Sequence, residues 1–178
     1  MVLLDWEKAF DKVDQDELIN ALTRIGIPPG ILGLIQKIYE DPKFRVKTNE
    51  AQSEYRSQKT GIRQGCPLSP YLFSILMSVM FKDIKAYLKT KRQREPIDGI
   101  NFSEILYADD TLITNEDENK MTATIRAIEE VSEVFGLNLN KDECRQLSYK
   151  GRARQIKFKD GTPIQQEHAV EYLGSLLH

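Results

Sequence analysis

The sequence predicts an α+β fold in which an antiparallel sheet packs against helices, and three observations carry that prediction. Two β-prone runs, residues 105–108 and 111–114, are separated by only Asp109 and Asp110. That is the length of a tight hairpin loop, and hairpin strands are antiparallel. Leu72, Phe73, Leu76, Met77, Met80 and Ile84 form a long apolar stripe at helical spacing. The order strand, helices, hairpin, long helix, hairpin, helix, strands lacks the regular β/α alternation of a doubly wound parallel sheet. A chain of 178 residues, 40% of them hydrophobic, is enough for one ordinary core, so a single domain is expected.

Val2, Leu3 and Leu4 read as a short buried strand that ends at Asp5. Asp14 with Glu17 resembles a capping box, followed by Leu18, Leu22 and Ile25 at helical spacing and a glycine stop at Gly26. Pro28, Pro29 and Gly30 precede a second amphipathic helix on Ile31, Leu34, Ile35 and Ile38, closing at Asp41 and Pro42. Phe44, Val46, Thr48 and Tyr55 suggest a hairpin over residues 43–60. Ser69 is the expected N-cap of the long helix, with Pro70 as its first residue. A helix from about residue 120 ends at Gly136, and short strands are expected at 156–158 and 170–173.

Cys66 and Cys144 are far apart and have no Cys or His at ligand spacing, which argues against a zinc site and against a disulfide framework. No apolar run is long enough to span a bilayer, and acids come too early for a secretory leader. The expectation is a soluble intracellular protein, nuclear or cytoplasmic, that is not secreted and has no membrane partner. No glycine-rich phosphate loop of the Walker or Rossmann type is present. A net charge of −2 does not suggest nucleic acid, yet the charge is segregated. Lys82, Lys85, Lys89, Lys91, Arg92 and Arg94 crowd one stretch; Arg145, Lys150, Arg152, Arg154, Lys157 and Lys159 crowd another. Such stretches are able to line a phosphate backbone, though solvated faces look the same in sequence.

An acidic pair at a turn is ordinary when taken alone, because Asp tolerates turn geometry and solvates well. The frame around Asp109 and Asp110 raises its interest: a strand-end carboxylate at Asp5, a glycine-proline loop opening a long helix, and an apolar hairpin tipped by two acids. Three converging carboxylates make a hard, oxygen-only site suited to Mg²⁺. Two such ions about 3.5–4 Å apart activate an attacking hydroxyl and stabilise the leaving oxygen of a phosphoryl displacement. That chemistry serves a nucleotidyl transferase and a nuclease equally.

LDWEKAFD at residues 4–11, TGIRQGCPLSPYLF at 60–73, YADD at 107–110, GLNLN at 136–140 and VEYLGS at 170–175 resemble, in order, motifs A to E of reverse transcriptases. The phrasing is closest to the LINE-type non-LTR retrotransposon enzymes, and the resemblance covers essentially the whole chain. It implies a polymerase palm-type fold, and an RNA-directed DNA polymerase that uses an RNA template, a DNA primer and dNTP. Two Mg²⁺ ions are its cofactors, with Mn²⁺ able to substitute. It makes Asp5, Asp109 and Asp110 the metal-binding acids, with the Trp6 backbone carbonyl near one ion. Phe10 falls where relatives place a bulky side chain against the sugar of the incoming nucleotide, excluding a 2′-hydroxyl. Arg63, Gln64 and Gly65 fall in the loop that lies along the nascent base pair. Tyr107 falls near the primer end, and Tyr172, Leu173 and Gly174 resemble the primer-grip hairpin. Arg152 and Arg154 are the candidate backbone-tracking cations.

Two departures stand out. Motif D in many relatives has a lysine where this chain has Glu143, and Lys141 is the nearest substitute. The fingers that precede motif A and the thumb that follows motif E in the family are missing from the 178 residues, so the chain reads as a palm core. The competing reading is a palm that only binds nucleic acid and turns nothing over. A maturase or a viral RNA polymerase shares the palm, and the LDWEKAFD phrasing and Phe10 weigh against both.

Overall fold

The computed structural model describes residues 1–91, 104–115, 117–148 and 154–178. Its elements are β1 (Val2–Leu4), α1 (Ala9–Lys12), α2 (Gln15–Arg24), α3 (Pro29–Tyr39), β2 (Lys43–Phe44), β3 (Arg56–Ser57), α4 (Ser69–Lys91), β4 (Glu104–Tyr107), β5 (Asp110–Ile113), α5 (Glu118–Val134), β6 (Arg145–Leu147), β7 (Gln165–Glu167), β8 (Val170–Tyr172) and β9 (Ser175–Leu177). A five-stranded sheet runs β4-β5-β1-β6-β7, with β2-β3 and β8-β9 as separate hairpins. The expected α+β fold is present, and helices α2, α4 and α5 pack together over the sheet.

The sheet is antiparallel except where β6 and β7 pair in parallel. The strand expected at 156–158 is present only as an isolated antiparallel bridge, Lys157 opposite Pro163, closed by the turn that follows Phe158. Phe158 N–H donates to the Thr162 carbonyl and Ile164 N–H to the Ile156 carbonyl, both at 2.9 Å. The Ile156 N–H is taken by the Gln146 side chain at 2.8 Å, so the bridged segment satisfies its backbone locally and leads into β7 alongside β6.

The helices follow their local signals. Asp14 caps α2 by accepting from Asp16 N–H and Glu17 N–H, each at 2.9 Å. The capping box is only half formed, because Asp14 N–H donates to the Phe135 carbonyl and Glu17 accepts from Asn20 instead. Both glycine stops are Schellman turns. Ile27 N–H reaches the Leu22 carbonyl at 3.1 Å past Gly26, and Leu137 N–H reaches the Ser132 carbonyl at 2.9 Å past Gly136. In α4 the predicted stripe is fully buried, but Ser69 does not cap the helix; its hydroxyl donates back to the Arg63 carbonyl at 2.5 Å. In α3 the stripe is only partly used: Ile35 and Tyr39 are buried, whereas Ile31 and Leu34 are 52% and 64% exposed.

Along β1, Val2 and Leu4, and Trp6 just beyond the strand, face the helices and are buried, so Asp5 points to the opposite side. That opposite side also carries Ile105 and Tyr107, 43% and 63% exposed. The sheet is therefore covered on one face and open to solvent on the other, at the strand ends that hold the acids. Among the described residues no helix is long and apolar enough to cross a membrane, and both cysteines are free thiols.

Gly26 and Gly136 end their helices at φ +82° and +77°, but their surroundings differ. A Cβ at Gly26 meets nothing within 4 Å, whereas one at Gly136 lies 2.8 Å from the Asp14 nitrogen, against the α1–α2 linker. Gly26→Ala is expected to cost about 1 kcal/mol through φ alone, and Gly136→Ala about 2–4 kcal/mol because backbone must move. Urea unfolding of the two variants measures the difference.

Candidate active site

The acids are brought together by strand register. Leu4 pairs with Thr111, so one further residue along the antiparallel pair sets Asp5 opposite Asp110. Asp110 itself pairs with Tyr107. Tyr107, Asp110 and Asp5 thus form one cross-strand row on the open face. The expected hairpin tip, Asp109-Asp110, is shifted by one: the loop residues are Ala108 and Asp109, and Asp110 opens β5. Ala108 takes the left-handed backbone at φ +52°, a conformation that costs a non-glycine residue about 1–2 kcal/mol. In exchange Asp110 becomes a strand residue with a defined direction.

Trp6 ties motif A to motif C. Its buried indole Nε1 donates to the Thr111 hydroxyl at 3.1 Å, from beneath the acid row. Its backbone is framed by two bonds to motif D: Glu7 N–H to the Asn138 carbonyl and Asn140 N–H to the Asp5 carbonyl, both 2.9 Å. In that arrangement Trp6 faces Leu139 as a non-hydrogen-bonded pair, so its own carbonyl is directed away from motif D, toward the side on which β5 lies.

The electrostatics are those of neighbouring acids: no cation of the described residues is among the influences that shift Asp5 or Asp110. Burial is the largest influence raising the Asp5 carboxyl above its ordinary range; the charges of Glu143, Asp109 and Asp110 raise it further, and a hydrogen bond from the Asn140 side chain opposes them. Asp110 is raised by burial and then by Asp109. Oxygen-only donors with surplus negative charge fit a hard divalent cation. Among the described residues, however, no three acidic, histidine or cysteine side chains converge closely enough to hold one. Asn140 and Glu143 escaped the sequence reading as neighbours of Asp5; the GLNLN motif was the available signal for the first.

Motif B leans on motif A. Phe10 stacks on the buried Phe73 ring, centroids 4.6 Å apart at 19°. Gly61 N–H donates to the Val13 carbonyl and Ile62 N–H to the Phe10 carbonyl, both 2.7 Å. Gly61 sits at φ +83°, and a Cβ there would lie 2.6 Å from the Asp11 carbonyl oxygen, so glycine is required. Gln64 donates to the Asp11 carboxylate at 2.9 Å and Arg63 reaches the Ile38 carbonyl at 3.4 Å, both side chains being exposed. Gly65, at φ +79°, borders open space.

In the β8–β9 hairpin, Tyr172 pairs with Ser175 across Leu173 and Gly174, which have φ of 50° and 74°. Positive φ at both loop positions is the type I′ geometry that matches strand twist. The Tyr172 hydroxyl is covered from solvent and has no hydrogen-bond partner among the described residues. Burial and the Asp110 charge both push this phenol up.

Lys141 is engaged elsewhere, bridging Asp160 at 2.7 Å and Glu129 at 3.3 Å over the face of Phe158. Cys144, beneath Asp5, is buried with its thiol pushed up to about 11, which leaves it an inert core residue. Arg154 is exposed, while Arg152 lies outside the described residues, as do Arg92, Arg94, Lys150 and Glu116 and the side chain of Lys91. Clefts of about 520 and 390 Å³ lie beside α3 and α5, away from the acid row. The acids occupy an open sheet face, which suits a long polymer better than an enclosed small molecule.

Because Asp5 is raised in the folded chain, its ionisation opposes folding: the penalty is absent below the ordinary carboxylate range and complete above the raised value. Asp5→Asn is therefore expected to increase the urea midpoint at neutral pH, with the gain shrinking as the pH falls and Asp5 protonates. Unfolding curves at neutral and acid pH check the sign.

Comparison with known proteins agrees with this geometry. A family profile described as reverse transcriptase (RNA-dependent DNA polymerase) matches residues 1–177. The retrovirus-related Pol polyprotein from type-1 retrotransposable element R2 of Nasonia vitripennis is 26% identical over 166 residues, covering 92% of this chain and 16% of the relative. The RNA-directed DNA polymerase from mobile element jockey of Drosophila melanogaster is 24% identical, covering 98% of this chain and 19% of the relative. The chain thus spans less than a fifth of either relative. Among solved structures, telomerase from Candida albicans matches with a TM-score of 0.64 at 17% identity, over 89% of this chain and 28% of that one, a likeness of fold. With strand register, motif order and a family match over its whole length in agreement, this chain belongs to the reverse transcriptase (RNA-dependent DNA polymerase) family.

Proposed function

We propose that the chain is the palm portion of an RNA-directed DNA polymerase that adds dNTP to a DNA primer on an RNA template. The observation that carries this reading is the row Tyr107, Asp110 and Asp5 on the open sheet face, with Asp109 at its rim. Two Mg²⁺ ions, replaceable by Mn²⁺, would be held by Asp5, Asp109, Asp110 and the Trp6 carbonyl once the three acids, which do not converge in this structure, are drawn together, and would supply activation of the attacking hydroxyl and stabilisation of the leaving oxygen.

The chain's own residues do the positioning. The primer 3′-hydroxyl forms a bond to the α-phosphorus of dNTP as the bond to pyrophosphate breaks. Tyr172, Leu173 and Gly174 hold the primer end, and the Tyr172 hydroxyl, without a hydrogen-bond partner among the described residues, is a donor available to a phosphate or carboxylate acceptor. Phe10, propped by Phe73, stands against the sugar. Arg63, Gln64 and Gly65 border the nascent pair, the open space at Gly65 leaving room for close backbone approach. An intracellular setting, nuclear or cytoplasmic, goes with this reading.

A palm that binds nucleic acid without turnover is the second reading. It is favoured by Glu143 beside Asp5 and by Lys141 being committed to Glu129 and Asp160, which leave neither residue suited to protonate pyrophosphate.

Primer extension on an RNA template with Mg²⁺ separates the two. Asp109→Asn is expected to lower dNTP incorporation by on the order of 10³-fold without unfolding the chain. Absence of extension by the folded wild-type chain supports the second reading. Phe10→Val is expected to relax discrimination against rNTP by about 10–100-fold, measured as the ratio of kcat/KM for the two sugars; an unchanged ratio in an active enzyme removes Phe10 from that role.

A further inference from the structure

The two basic stretches that stand out in the sequence are partly neutralised in the fold. Lys85 pairs with Glu104, Lys159 with Glu130 at 3.5 Å, and Arg145 donates to the carbonyls of Asp142 and Cys144 at 2.5 and 2.9 Å. The β2–β3 hairpin is different. Residues 43–59 hold Lys43, Arg45, Lys47, Arg56 and Lys59 against Glu50 and Glu54, and every residue from 43 to 57 is exposed.

Lys43 and Phe44 pair with Ser57 and Arg56, and Lys47 bridges Gln52 further out. Along this arm Lys43, Arg45 and Lys47 alternate in sequence with Phe44 and Val46, and the register changes by one between Phe44↔Arg56 and Lys47↔Gln52, so the arm carries three exposed cations at every second position around an irregular pairing. The Arg45 guanidinium lies over the Tyr55 ring, 5.1 Å from its centroid, and Tyr55 is 63% exposed. Among the described residues Arg45 and Lys47 have no carboxylate partner, and the Lys43–Asp41 pair at 2.8 Å is exposed on both sides and easily exchanged. The hairpin is rooted at the motif A–B junction: Gln58 N–H donates to the Pro42 carbonyl at 2.7 Å and the Thr60 hydroxyl to the Asp11 carbonyl at 3.1 Å.

We propose that the Lys43–Arg45–Lys47 arm of this hairpin binds the backbone of single-stranded nucleic acid, with the Arg45–Tyr55 stack as a platform for a base. The occupant follows from charge and chemistry: three exposed cations on one short arm suit neighbouring phosphates, and an exposed aromatic carrying a guanidinium is a sequence-tolerant stacking surface. The inference rests on the polymerase reading, because it assigns part of that enzyme's single-stranded substrate to this arm.

The test is fluorescence anisotropy of the full chain with a labelled oligouridine RNA, from about 50 to 200 mM salt. K43Q/R45Q/K47Q is expected to flatten the slope of log K against log salt by about 2, and Arg45→Gln or Lys47→Gln alone by about 0.7. Tyr55→Leu is expected to weaken binding by about 5–150-fold with the slope unchanged. Because these side chains are exposed, the urea midpoints should match wild type. RNA binding by the triple variant with wild-type affinity and slope overturns the inference and leaves the polymerase reading standing. Failure of the folded wild-type chain to bind RNA at low salt overturns both.

Discussion

The antiparallel pairing of β1 with β5 is the constraint on which the rest of this molecule depends. It sets Asp5 against Asp110 by register alone, and the buried Trp6–Thr111 hydrogen bond holds that register from the core side. A slip of one residue would turn Asp5 into the helix layer and Trp6 out to solvent. Like charges opposite each other across a sheet are unfavourable, and burial of Asp5 adds to the cost. The apolar helix layer of α2, α4 and α5 is what sustains the arrangement.

Around that pair the structure is a set of close backbone approaches. Gly61 brings the motif B loop against Asp11, and Gly136 brings the end of α5 against the α1–α2 linker. Motif D then follows directly along Asp5, Trp6 and Glu7. Motifs distant in the chain are thereby linked through main-chain atoms, which tolerate side-chain divergence. This accounts for a shared fold with telomerase at 17% identity. The peripheral hairpins are less constrained: β2–β3 is wholly exposed, and β8–β9 is a separate two-stranded unit whose Tyr172 phenol lies near enough to Asp110 to be raised by its charge.

In motif D, Glu143 adds an acid to the vicinity of Asp5, and Lys141 is held by Glu129, Asp160 and the Phe158 ring. Lys141 there braces the turn before β7 against α5.

What the sequence determined by itself was local. The Asp14 cap, the glycine stops at Gly26 and Gly136 and the α4 stripe act within a few residues, and each is where local chemistry requires it. The family motifs also carried identity, because their residue types were legible without coordinates. Tertiary structure decided what depends on partners remote in the chain. It moved the hairpin loop to Ala108-Asp109, paired β6 with β7 in parallel, left Ile31 and Leu34 exposed, and set Asn140 and Glu143 beside Asp5. It also exposed the basic arm of β2–β3 while tying up cations in the longer basic stretches. The physical reason is that capping and helical periodicity are satisfied by near neighbours, whereas strand register, burial and charge pairing are settled only when distant segments compete for the same backbone and side-chain groups.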